Sequence, residues 1–207
     1  MRRYQCRIDS GVIRRQRLND IFKEAFRKTI HICSAFIPFF LSRYYWPVII
    51  LLFAAVTVYS CSELARLHGH EIPVISAVTA VAARKRDENK FVLGPVTLVA
   101  GILISALIWD LLPATVGIYA LAFGDGLASL AGKLFGKEQI PGTEGKTAAG
   151  SLTCFSAIFI STFLVSGKSR LALIAASVGM FIELMPLKDF DNILIPVIVG
   201  GLAQFLC

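Results

Sequence analysis

Long stretches of this 207-residue chain hold no charged side chain: 46–62, 91–108, 111–123, 148–165 and 193–207. A soluble helix of such length needs a polar face, whereas a helix in hydrocarbon needs none, because its backbone groups satisfy one another internally. The charges are gathered elsewhere. Nine of the 21 lysines and arginines fall within the first 28 residues: Arg2, Arg3, Arg7, Arg14, Arg15, Arg17, Lys23, Arg27 and Lys28. Hydrophobic residues make up 56% and charged residues 17%, against about half and about a quarter in soluble domains. This pattern excludes a soluble enzyme, a disulfide-stapled secreted domain and a disordered chain. The expected fold class is all-α, a polytopic membrane bundle of about seven transmembrane helices plus one short re-entrant or interfacial segment.

The spans expected are 29–41, 46–62, 91–108, 111–123, 148–165, 171–187 and 193–207. Residues 72–83 rise only about 18 Å as a helix, too little to cross, and supply the re-entrant or interfacial piece. Skipping that piece puts Arg66, Arg84, Lys85, Arg86, Lys90, Lys133, Lys137, Lys146 and Lys188 on the same side as the basic N-terminus. Only Arg43, Lys168 and Arg170 fall on the other side, so the positive-inside rule places the N-terminus in the cytoplasm. The net charge of +7 then reads as a topology signal, and no nucleic-acid partner is expected. Residues 1–28 are expected to form a basic cytoplasmic segment and 29–207 a membrane-embedded domain. Within the first segment, Ile13, Leu18, Ile21, Phe22, Phe26 and Ile30 are spaced as in an amphipathic helix lying on an anionic membrane surface. The segment is too long and too basic for a cleavable signal. Of the cysteines, Cys33, Cys61, Cys154 and Cys207 read as small buried hydrophobes and Cys6 as incidental, with no disulfide or zinc site.

In so apolar a chain the informative residues are the acids near membrane depth, which cost several kcal/mol unless paired or metal-bound. Asp110 reads as a helix-end carboxylate, Glu63 and Arg66 as a helical pair, and Glu183 as either the partner of a cation or part of a site. Gly124, Ala128, Gly132 and Gly136 recur every four residues, a stripe that suits close helix packing. Packing does not require the acid beside it. Asp125, Ser129 and Lys133 form a row along one face, an acid, a hydroxyl and a cation in line. The loop that follows ends Gly145-Lys146-Thr147. It imitates a P-loop but has Ile140 where that pattern requires glycine. Glycines, a lysine and hydroxyls before a helix N-terminus still suit a phosphate, although a basic loop ending in an N-cap accounts for the same residues. Asp189, Asp191 and Asn192 offer oxygen ligands of the kind Mg²⁺ accepts, or else an acidic helix cap. His68 and His70 lack a third ligand and read as solvated.

These motifs resemble those of the membrane-embedded CTP-dependent lipid kinases, a family that includes dolichol kinase, phytol kinase and fungal-type diacylglycerol kinase and is similar to phosphatidate cytidylyltransferases. The resemblance lies in Gly124-Asp125-Gly126-Leu127-Ala128-Ser129, Gly136-Lys137, Lys146-Thr147, Gly150-Ser151 and Asp191-Asn192. A weaker N-terminal feature is met by Arg27, Lys28 and His31. One position departs from the family: Ala149 stands where an acid is common, so Glu144 or Asp189 would have to substitute.

The resemblance implies transfer of the γ-phosphoryl group of CTP to a lipid hydroxyl of a polyprenol, a phytol-like alcohol or diacylglycerol, at the cytoplasmic face. Asp125, Lys146 and Asp191 would be catalytic, with Asp125 binding Mg²⁺ or accepting the alcohol proton. Ser129, Lys133, Lys137, Gly145 and Thr147 would hold the nucleotide, and Asp125, Asp189, Asp191 and Asn192 the metal. A cytidylyltransferase making CDP-diacylglycerol from CTP and phosphatidate, and a transporter or scaffold without enzymatic activity, are the alternatives. The expected location is a bacterial cell membrane, and a homo-oligomer is compatible with the sequence.

Overall fold

The computed structural model of the chain describes residues 21–70, 79, 90–143 and 145–206. Among these residues the structure is helical and forms no strand beyond a single bridge between Gln139 and Thr147. Helix α1 (residues 21–33) passes through a 3₁₀ turn, Ser34–Phe36, into α2 (Ile37–Arg43). There follow α3 (Tyr45–Leu67), α4 (Gly94–Ile108), α5 (Leu111–Tyr119), a π-helical turn (Ala120–Asp125), α6 (Gly126–Phe135), α7 (Ala148–Ser166), α8 (Ser169–Leu184) and α9 (Asp191–Leu206). Tyr45–Leu67, Leu111–Phe135 and Ala148–Ser166 are long and apolar enough to cross a bilayer, and Gly94–Ile108 and Asp191–Leu206 are apolar but shorter. The chain is an all-α, multi-pass membrane protein. The segment 72–83 lies outside the described residues, apart from Thr79.

Exposure follows the logic of a lipid solvent. Helix α3 displays Trp46, Ile50, Leu51, Phe53 and Val58, side chains that hydrocarbon accepts and water does not. The centre belongs to the helix running from Leu111 to Phe135, where Val116, Ile118, Ala120 and Leu121 are fully buried. The expected span ended at Phe123, with a separate helix leaving the bilayer. The structure instead carries one helix through both, because Gly124 and Gly126 remain helical and the extra residue is absorbed by the π turn. That turn ends on Asp125.

Helix α9 lies against α4 and α5, and α7 lies against α8 and α6. Pro196 inside α9 has no N–H to give the Asn192 carbonyl, and its own carbonyl accepts from Ser105 Oγ at 3.3 Å. Gly101 presses on the Asn192 carbonyl and Gly117 on that of Pro196, so closely that a Cβ at either glycine would collide with backbone oxygen. These two close approaches set the height of the α9 N-terminus, and with it Asp191. At the other end, Gln204 Nε2 donates to Asp110 Oδ2 at 2.8 Å and the Asp110 N–H donates to Gln204 Oε1 at 3.0 Å. This agrees with reading Asp110 as a helix-end carboxylate.

Two expectations are corrected here. Residues 21–33 do not lie with their cations toward a membrane surface. Phe22 and Ile30 are exposed while Glu24, Lys28 and His31 are buried, because hydrocarbon draws the apolar face outward and leaves the polar face to find partners inside. Helix α1 also runs unbroken through position 28/29. Among the described cysteines, Cys33 and Cys61 are exposed and Cys154 is buried, since a small apolar thiol loses little by facing lipid; Cys6 and Cys207 lie outside the described residues.

Gly117→Ala is expected to lower stability by about 1–3 kcal/mol, read as a lower melting temperature of the detergent-solubilised protein.

Candidate active site

Four residues of α1, Glu24, Arg27, Lys28 and His31, follow the i, i+3, i+4, i+7 spacing that places them on one face. The π turn brings Asp125 to meet that face. Lys28 Nζ donates to Asp125 Oδ2 at 2.5 Å, and His31 Nδ1 lies 3.0 Å from the same oxygen. Asp125 and Lys28 are each 2% exposed, so neither charge is shared with solvent. Leaving either one without the other would strand an ion in a low-dielectric interior.

Two further carboxylates approach Asp125. Glu183 arrives from the last turn of α8 and Asp191 from the first residue of α9, and one oxygen from each of the three lies within 4.8 Å of the others. Lys146 Nζ contacts Glu183 Oε1 at 2.9 Å, while Glu183 Oε2 is buried without a hydrogen-bond partner. Three converging acids, one with an orphaned oxygen, fit the hard oxygen coordination that Mg²⁺ requires. The residues present therefore suit the metal that the motifs imply. The acids that converge are Asp125 and Asp191, both expected at the metal, together with Glu183. Asp189 and Asn192 face a different cavity, and the Asn192 amide donates to Thr97 Oγ1 at 3.0 Å. Glu183 also supplies the third acid that Ala149 does not, whereas Glu144 lies outside the described residues.

Over these acids lies a polar cavity of about 290 Å³. Ser129, Lys133, Gly145, Lys146 and Thr147 all line it, together with Asp125 and Asp191, so most of the expected nucleotide-binding residues share one space. Lys137 is exposed and does not line it. Thr147 also caps α7, its Oγ1 accepting from the Gly150 N–H at 3.2 Å. The stripe of small residues performs the packing expected of it. Gly150 sits against the Ala128 carbonyl, and both Gly132 and Gly136 leave room only for the Thr147 side chain. The loop before α7 turns at Gly142 (φ 82°) and Gly145 (φ 91°), conformations that favour glycine. Lys188, on the cavity wall, takes the left-handed region at φ 58°, an uncommon conformation that clusters at functional sites.

The wall contributed by α1 was the least visible in sequence. Lys133 Nζ contacts Glu24 Oε2 at 2.8 Å, and Arg27 contacts Glu24 Oε1 at 2.5 Å. Burial pushes the Glu24 carboxyl up, but Arg27, Lys28 and Lys133 outweigh it and hold it down at about 2. The signal available was a lone acid placed three and four residues before Arg27 and Lys28, in a helix otherwise rich in apolar residues. Glu63, read as the partner of Arg66, is that, with Nη2–Oε1 at 2.7 Å, and it also accepts from the Val92 N–H.

Comparison with known proteins adds what the geometry cannot. A probable chloroplastic phytol kinase 1 of rice, Oryza sativa subsp. japonica, is 28% identical over 203 residues, which is 82% of this chain and 60% of that protein. A probable chloroplastic phytol kinase of maize, Zea mays, is 28% identical over 208 residues, 85% of this chain and 64% of that protein. In sequence the chain is similar to these phytol kinases. A probable chloroplastic phytol kinase 1 of soybean, Glycine max, reaches 31% identity over 150 residues, 68% of this chain and 46% of its own length. The chain thus spans about 60% of the length of the rice and maize relatives. These relatives are chloroplast proteins, so the expectation of a bacterial cell membrane finds no support. No protein-family model matches the chain, and no solved structure does.

Lys28→Met is expected to destabilise this phytol kinase relative by about 3–5 kcal/mol, because Asp125 is left buried without its partner. Lys28→Met combined with Asp125→Asn should recover most of the loss, and melting temperatures in detergent measure both. The Glu24 ion pairs should respond to acid as a depressed carboxyl dictates. Their contribution is full above the ordinary value of 4.5 and is lost as pH falls through about 2. Glu24→Gln should remove that acid dependence from the melting curve.

Proposed function

We propose that the chain is a membrane lipid kinase, moving the terminal phosphoryl group of a nucleoside triphosphate to the hydroxyl of a membrane alcohol at the cytoplasmic surface. The observation that carries this is the polar cavity, with three converging carboxylates at its floor and Lys133 and Lys146 on its walls. The phytol kinase relatives favour phosphoryl transfer to an alcohol, and the family resemblance favours CTP as the donor.

In this reading Asp125, Glu183 and Asp191 would hold Mg²⁺, which would supply neutralisation of the phosphate charge. Lys133 and Lys146 leave their carboxylate partners for the triphosphate, and Ser129, Thr147 and the Gly145 backbone add hydrogen bonds. Lys28, pinned against Asp125, and Arg27 stand where charge spreads over the transferring group. The bond between the terminal phosphorus and the bridging oxygen breaks, and the alcohol oxygen forms the new bond. The alcohol proton passes to a carboxylate of the cluster, and the nucleoside diphosphate leaves. Positioning and preorganised charge supply the rate, because the groups are fixed by helix packing before substrate arrives.

The test is to supply the purified protein with radiolabelled CTP or ATP and a panel of phytol, polyprenols and diacylglycerol. Phosphorylated lipid and CDP are expected, with CTP preferred, and pyrophosphate in place of CDP would indicate nucleotidyl transfer. Asp191→Asn and Lys146→Met should each reduce turnover by at least about 10²-fold, with chelation of divalent cations doing the same. Absence of transfer to every lipid, with Asp191→Asn indistinguishable from wild type, would refute the proposal.

A further inference from the structure

Five cations and four carboxylates line the polar cavity, so at least one positive charge there is not offset. Four of the cations hold a carboxylate: Arg27 and Lys133 share Glu24, Lys28 holds Asp125, and Lys146 holds Glu183. Lys188 has no ion-pair partner among the described residues and is exposed, which puts it at the rim of the cavity. It stands in the turn between Leu184, the end of α8, and Asp191, the start of α9. The Leu187 N–H donates to the Met185 carbonyl at 2.8 Å and the Phe190 N–H to the Leu187 carbonyl at 3.0 Å. Within that turn Lys188 takes φ 58°, and among the described residues no other non-glycine residue has a positive φ. Glycine or asparagine would adopt this conformation at less cost, but neither carries a cation. The next residue, Asp189, lines the second cavity, of about 220 Å³. The turn thus sends an acid to one cavity and a cation to the other.

We propose that Lys188 is a nucleotide-binding residue, a rim cation that takes a phosphate of the incoming nucleoside triphosphate. This rests on the kinase reading and deepens it by adding a residue outside the motifs on which that reading stands. Lys133 and Lys146 must each give up a carboxylate to bind a phosphate, whereas Lys188 has none to give up. An exposed charge at the mouth of a site acts mainly on encounter and on its salt dependence. Its effect therefore falls on nucleotide binding more than on the transfer step, which the buried groups around Asp125 govern. A lysine in a left-handed turn also has an identifiable signature, because the residue best for the turn differs from the one best for the phosphate. Replacement by asparagine or glycine improves the first and removes the second.

Lys188→Asn and Lys188→Gly both suit the left-handed turn and remove the charge, so a second variant stands if one expresses poorly. In detergent without nucleotide, each should melt at the wild-type temperature or up to about 4 °C above it. Binding is read without turnover, from the stabilisation of the full chain by CTP and by inorganic tripolyphosphate, each with Mg²⁺. The concentration giving half-maximal stabilisation should rise about tenfold in both variants and less than about threefold in Lys188→Arg. In the lipid kinase assay KM for CTP should rise by a similar factor while kcat falls less than about twofold, and added salt should weaken binding to wild type more than to Lys188→Asn. Tripolyphosphate binding unchanged in both variants, a loss of the same size in Lys188→Arg, or a fall in kcat with KM unchanged would overturn the proposal. Transfer to no lipid, with tripolyphosphate binding still dependent on Lys188, would refute the kinase reading alone. Transfer with nucleotide binding indifferent to Lys188 would refute the rim site alone.

Discussion

The pair Lys28–Asp125 joins α1 to the central helix at a depth where neither charge reaches solvent. An ion pair so placed gains little net stability over two well-packed apolar residues, but breaking it is costly, so it fixes which helices must meet and at what height. Helix α1 has to dock with one face inward, which delivers Glu24, Arg27 and His31 to the same site. The central helix has to present Asp125 at the end of its π turn, and that irregularity sits where the other carboxylates arrive. A regular helix through residues 120–125 would rotate Asp125 relative to the small-residue stripe that follows it.

The same pair explains why the site is preorganised rather than assembled. Glu183 and Asp191 come from α8 and α9, and α9 is set by contacts with no tolerance for a methyl group, at Gly101 and Gly117. Lys133 and Lys146 are held by Glu24 and Glu183 before any phosphate is present. In the proposed reaction each lysine would exchange one anionic partner for another, and the carboxylate it leaves is beside a further cation, Arg27 at Glu24, or beside the acid cluster at Glu183.

Much of this was legible in the chain, for identifiable reasons. Charge-free stretches announce membrane helices because hydrocarbon imposes a single strong rule on the backbone. The row Asp125, Ser129, Lys133 was visible because its spacing is local, and so was the cap at Thr147. The convergence of Glu183 with Asp125 and Asp191 was not, because it depends on loop geometry around Pro186 and Lys188, which no periodicity encodes. Glu24 escaped for a related reason. Its partner Lys133 is 109 residues away, and amphipathic spacing in α1 fits equally well with the polar face turned out to headgroups or in to the protein. The choice between those depends on whether acids elsewhere need the cations.

That last choice bears on how a chain this small can serve two solvents. A kinase acting on a membrane alcohol must take one reactant from water and the other from lipid without letting water follow the first to the second. Turning the basic face of α1 inward solves both halves together. Arg27 and Lys28 line both the polar cavity and the second, more apolar one, while Phe22 and Ile30 of the same helix are exposed on its outer face. The excess of positive charge at the N-terminus is thus divided between two tasks. The positive-inside rule accounts for an excess of cations at one end of a membrane chain, whereas Arg27 and Lys28, which line both cavities, belong to the proposed chemistry.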